Sequence, residues 1–359
     1  MTPITCDELQ TLLRRGKPIH ERSLTGLDLN GVDFAGAALL KCDLRGASLG
    51  GASLGQAALH ECDLSGLDLS GCQLDRAAFV ACNLSGARFG DRPLKQLTVA
   101  QSDLRGADLR GASPSLCQWV ASDLSGALLG QTRWFKVSTL QCRFEGADFS
   151  GAYLHQAVFH QADLTTCNLT GLSALESLWI GCNLAGQNLA GASLPRCTLM
   201  DCDLSDADLS GADLSQGNLK GAKLHRTHME NLHAPHTLLL EADLVDTDLR
   251  GADLTASVAQ KARLAGVDLR GTKLAMSFWK HSSHQGSDFG SADLRHADLS
   301  HLHGDRDCRF GGANLSRAKL HCTDLPNRAL LGAHTATAEK THKKLAQAEA
   351  LSLEMELNP

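Results

Sequence analysis

A solenoid of short repeats is the fold this 359-residue sequence predicts, and three observations predict it. Leu or Phe recurs every five residues, from Leu24 through Leu29, Phe34 and Leu39 to Leu299. Of the 56 positions in that register, 44 are Leu or Phe, and a period of five suits neither a helix face nor an alternating strand. Two places before each centre stands a small residue, usually Ala, with Asp or Asn between, as in Ala107-Asp108-Leu109 and Ala252-Asp253-Leu254. Cys42, Cys62, Cys82, Cys142, Cys182 and Cys202 all occupy that small position and differ by multiples of 20.

The motif A(D/N)LxG resembles the pentapeptide-repeat family over about 310 residues of this chain. The resemblance implies an all-β solenoid, a right-handed quadrilateral β-helix of about fifteen coils with four pentapeptides per square coil. It also implies that the central Leu or Phe and the small residue two before it point inward, and the other three outward. No coil can bury its own Leu ladder, but stacked coils bury one another's.

Three segments are expected: a helical cap over 1–19, the repeats over 20–332 and a helix over 333–359. Thr5 and Glu8 make a capping box, Leu9, Leu12 and Leu13 an apolar face, and Gly16 a stop. The C-terminal stretch is rich in Ala, Glu, Lys and Leu, all good helix formers. It would cap the last coil, pair two copies into a homodimer, or bind a partner. The register slips once: Phe310 follows Leu299 by eleven residues, so one residue is inserted within 301–307, a bulge or small loop.

Composition narrows the function. With 34 Lys and Arg against 40 Asp and Glu, the net charge of -6 offers no basic surface, which speaks against direct nucleic-acid binding. No run of eighteen apolar residues exists to span a membrane. Eleven of the 13 Cys take inward repeat positions and read as small buried hydrophobes, leaving Cys6 and Cys322 outside; reduced thiols and a cytoplasmic location are expected. No catalytic constellation, phosphate loop or CxxC pair appears. Asp and Ser recur because the repeat requires them. His225, His228, His233 and His236 look like ligands by spacing but spread over three faces of a square coil. No enzyme activity, cofactor or metal is expected.

The faces are unequal. Counting from Leu24, Leu29, Phe34 and Leu39 as faces one to four, ten of the twelve centres that are neither Leu nor Phe lie on faces three and four. Among them are Trp119, Trp134, Trp179 and Trp279. Face four also carries apolar residues at outward positions: Val80, Val120, Val158, Leu178, Ile180, Met200, Leu238, Leu240, Val258 and Phe278. These predict an exposed stripe of the kind that marks a binding surface. The candidate partner-binding residues are Trp119, Val120, Trp134, Leu178, Trp179, Ile180, Met200, Leu238, Leu240, Val258, Phe278 and Trp279. Local bulges, or the C-terminal helix folded back, would instead hide the stripe.

The expected function is a non-enzymatic scaffold for another protein. The helical start running into Leu24-Thr25-Gly26-Leu27-Asp28-Leu29 resembles long bacterial pentapeptide-repeat proteins associated with type VI secretion. That resemblance implies an accessory to effector loading, with a secretion adaptor or effector as partner. The alternative is a DNA mimic that binds gyrase, as quinolone-resistance members of the family do. Arg45, Arg105, Arg110, Arg250 and Arg270 dilute the acidic field such a mimic needs.

Overall fold

The computed structural model describes residues 1–357, with side chains described through Ala350. The chain divides into two compact units, 1–183 and 184–359. Each is a parallel β-solenoid whose backbone bridges join residues 20 apart, such as Asp43 to Asp63 in the first and Asp208 to His228 in the second. There are about 17 turns, against the fifteen expected.

The repeat chemistry explains the coil. Leu44 donates its N–H to the carbonyl of Asp63 at 2.8 Å, and Asp63 returns one to Cys42 at 2.9 Å, so neighbouring coils satisfy each other's backbone. The residue two after each centre turns the corner with positive φ. Gly46 stands at +69° there, which is why Gly is frequent, while Gln101 accepts +52°. The Asp before the centre fixes the same corner, as where Asp63 Oδ1 accepts the N–H of Ser65 at 3.0 Å.

Inside, the two units differ. The first packs Phe79, Phe89, Trp119, Trp134, Phe144, Phe149, Phe159 and Trp179 at no more than 1% exposure, whereas Leu fills most of the second. The small position is buried too, and eleven Cys lie there. Its polar substitutes reach the carbonyl 23 residues earlier: Thr227 Oγ1 donates to Leu204 at 2.9 Å and Cys72 Sγ to Leu49 at 3.2 Å. This internal bond lets residues such as Thr227 and Cys72 replace Ala with their polar group satisfied, although the buried Ser257 hydroxyl makes none.

At the N-terminus, α1 (Cys6–Arg14) has the full capping box: Glu8 N–H donates to Thr5 Oγ1 and Thr5 N–H to Glu8. Leu9 is buried, and the strand Thr2–Pro3 pairs with Arg22–Ser23 on the first coil. The other end departs from expectation. Coiling continues past 332, because strand Glu339–Lys340 pairs with Lys319–Leu320 and His334 bridges Asn314. The helix α2 begins only at Lys343 and runs to Leu357. An open coil edge leaves unpaired N–H and C=O groups, and continued pairing satisfies them better than an early helix.

One residue is inserted between Gly304 and Arg309, since His284 pairs with Gly304 but Asp288 bridges Arg309. It sits between the strand His303–Gly304 and the next corner, and bridges beyond it span 21 residues, as in Asp288 to Arg309. Asp305 Oδ1 accepts the N–H groups of Gly286, Asp307 and Cys308 at 3.0, 3.0 and 3.1 Å, holding the bulge together.

Candidate docking face

Face four of the first unit is a nine-stranded parallel sheet from Ile19–His20 to Leu178–Ile180. Beside it, face three forms a five-stranded sheet from Pro93–Lys95 to Ser173–Leu175. These stretches are flat and extended where other repeats make only single bridges.

All four Trp are interior, which corrects the expectation that they contact a partner directly. Trp119 and Trp279 are 0% exposed, Trp134 and Trp179 1%. A centre points inward whatever its size, and the indoles fill the coil. Trp119 meets Trp134 edge-on at 4.8 Å, and Phe159 links Trp134 to Trp179 at 5.6 and 5.4 Å. Trp134 Nε1 donates to Thr132 Oγ1 at 3.0 Å and Trp279 Nε1 to Ser277 Oγ at 2.8 Å.

The outward residues do face out. In the first unit Leu178 is exposed, and Val80, Val120, Val158 and Ile180 are half-buried. In the second unit Leu238 and Phe278 are exposed, and Met200, Leu240 and Val258 are half-buried. No bulge tucks any of them in. The described polar contacts of α2 with the coils go to His301 and His321, away from these side chains.

The structure adds residues that the sequence reading missed. Leu116, Phe135, Leu140 and Tyr153 are 37–48% exposed in the first unit. Phe135 packs against the His155 ring at 5.3 Å, with the Lys136 ammonium 5.2 Å above the Phe135 ring. Leu140 holds the same outward place on face four as Val120 and Ile180, and Phe135 and Tyr153 hold outward places on face three. Testing face three for outward apolar residues, as face four was tested, would have found them.

The four clustered histidines do not converge. His225 Nε2 instead lies 2.9 Å from Asp243 Oδ2, while His228, His233 and His236 are exposed. Among the described residues one set of three metal-compatible donors does come together, His301, Cys322 and Glu349, all outside that run. None of the described helices is long and apolar enough to cross a membrane.

A parallel solenoid with Leu or Phe at most face centres and Asx-fixed corners defines a protein class built on five-residue repeats. The pentapeptide-repeat family matches in eight copies over residues 23–51, 52–91, 141–171, 180–216, 218–257 and 238–275, and this chain belongs to it. Solved structures similar to it include a trypsin-treated variant of QnrB1, a plasmid-mediated fluoroquinolone resistance protein. That match is 19% identical and covers 55% of this chain and 97% of the other, with a TM-score of 0.39. HetL from Nostoc sp. strain PCC 7120, involved in heterocyst differentiation regulation, is 24% identical over 76% of this chain and 94% of its own, with a TM-score of 0.18. Rfr23 from Cyanothece 51142 is 22% identical over 35% and 88%, with a TM-score of 0.25. None of the curated proteins matches the sequence.

Proposed function

We propose that this chain is a non-enzymatic scaffold that recognises another protein through the apolar outward side chains of face four and the adjoining edge of face three. One observation carries the reading. Leu178, Leu238 and Phe278 stay more than a third exposed at positions where the repeat elsewhere carries Asp, Ser or Arg. Folding the coil requires none of these apolar groups outside in either unit, and exposed apolar surface of this kind marks interaction sites.

The proposed setting is the bacterial cytoplasm, as an accessory in loading type VI secretion effectors, with a secretion adaptor or effector as partner. Its support is the resemblance at Leu24-Thr25-Gly26-Leu27-Asp28-Leu29. A homodimer through α2 is a further part of the reading, since Leu345 is 49% exposed on that helix.

Two double variants test it: Leu178→Asp with Ile180→Asp in the first unit, and Leu238→Asp with Leu240→Asp in the second. Circular dichroism and melting temperature should stay near wild type. Affinity for a co-expressed adaptor or effector should fall tenfold or more, about 1.4 kcal/mol. Unfolding would make these residues structural, and undiminished binding by both variants would move recognition elsewhere. Light scattering on the full chain reads the dimer separately.

A further inference from the structure

We propose that His301, Cys322 and Glu349 form a zinc-type metal site that clasps the C-terminal helix to the last coils. The ligand atoms of the three residues lie within 4.8 Å of one another, and each residue is half-buried. They come from separate places: His301 from one coil, Cys322 from the next, and Glu349 from α2.

The repeat builds half of this site. Residues two after a face-four centre form one corner column, and at this end it reads His281, His301, Cys322. All three stand at positive φ, 60°, 57° and 51°. The extra residue after Gly304 shifts the last coil by one, so Cys322 rather than His321 takes the place over His301. The His281 ring stacks on His301 at 4.7 Å and supports it from the other side.

His321 has a different task. Its Nδ1 accepts the N–H of His342 at 3.2 Å, so in the neutral ring the proton sits on Nε2. That Nε2 donates to Glu349 Oε2 at 3.0 Å. His321 thus positions the carboxylate, as groups behind metal ligands commonly do. Glu349 Oε2 also lies 3.3 Å from His301 Nε2. Two ligands bound at about 2.0–2.1 Å to a tetrahedral ion stand about that far apart.

The donor set chooses the ion. One imidazole, one thiol and one carboxylate suit Zn²⁺, whereas Mg²⁺ and Ca²⁺ require mostly oxygen. Lys280, Lys319 and Lys340 line the same recess with Asp298 and Glu339, so only an ion held by strong coordinate bonds suits it. The helix needs such a clasp: none of its described side chains, 343–350, is buried. Binding would release the thiol proton to solvent and leave the fourth position for water.

The test uses the full chain, reduced and freed of metal by a chelator, titrated with Co²⁺ and then Zn²⁺. One equivalent of Co²⁺ should give a thiolate-to-cobalt charge-transfer band that Zn²⁺ displaces. Cys322→Ser should abolish the band and Cys6→Ser keep it. Glu349→Gln and His301→Gln should weaken Zn²⁺ binding by about tenfold or more, and His225→Gln should not. In wild type, Zn²⁺ should slow amide exchange over residues 343–350, and in Glu349→Gln it should not. A band that survives Cys322→Ser, no band at all, or helix exchange indifferent to Zn²⁺ would overturn the site and leave only a hydrogen-bonded cluster.

Discussion

Arg105 folds back onto Asp103, two residues before it, with Nε 2.9 Å and Nη2 2.6 Å from the two carboxylate oxygens. The same fork joins Arg45 to Asp43, Arg110 to Asp108, Arg250 to Asp248, Arg270 to Asp268 and Arg295 to Asp293. The Arg105 hydrogen bond is the main cause holding the Asp103 carboxyl below its usual range, with burial opposing it. Part of the acidic ladder is therefore neutralised where it stands. A gyrase-binding DNA mimic would need that charge bare, so the protein should leave gyrase supercoiling unaffected at micromolar concentration. Inhibition that fades steeply with salt would restore the DNA-mimic reading.

Leu204 is fully buried, and Ser205 beside it is half-exposed with its N–H on Asp203 Oδ1 at 3.0 Å. Leu204→Lys should cost about 3–5 kcal/mol, because it places an unpaired charge among Leu side chains. Ser205→Lys keeps the backbone bond and should change stability by less than about 0.5 kcal/mol. Urea unfolding of the two variants measures the difference, and equal midpoints would contradict the register.

Burial pushes the Cys142 thiol up to about 11 and Cys167 to about 12. Cys6 is exposed and Cys322 half-buried. Native labelling at pH 8 should modify Cys6 and Cys322 first, followed by the interior thiols only as the coils open. Mass spectrometry that finds Cys142 or Cys167 modified at the same rate would mean that these repeat positions face solvent.

His284 occupies an inward centre on face one with no exposure, and burial pushes its pKa from 6.5 down to about 3. The folded protein keeps the ring neutral while the unfolded chain takes up a proton below 6.5. Stability should therefore fall as pH drops from 6.5 toward 3, by up to about 1.4 kcal/mol per unit. The Arg-paired Asp carboxyls, whose pKa values are lowered, add their loss only below about 4. His284→Leu restores the usual centre and should flatten the slope between pH 6.5 and 4. An unchanged slope in denaturant titrations at these pH values would assign it to other groups.

Much of this architecture was legible because inward and outward places repeat. Leu204, Ser205 and the Cys column could be assigned from spacing alone, and so could Thr5 with Glu8. The Trp residues misled for a physical reason: aromatic bulk suggests a contact surface, but the centre position overrides side-chain type. The C-terminal boundary was misplaced because residues 333–342 carry helix-forming composition while the open edge of the preceding coil demands pairing. The grouping of His301, Cys322 and Glu349 lay beyond sequence reading. It depends on which residue was inserted and on where α2 lies, and neither follows from local pattern.

Asp305 shows where this kind of chain can change length. The extra residue enters next to a corner, the Asp305 carboxylate secures the displaced backbone, and Phe310 and Leu315 return to the interior at 0% exposure. An insertion within a face would exchange inside for outside in every residue that followed. Corners are thus the points at which a lineage, or an engineer, can splice in a loop or a tag while the reading frame of the core survives.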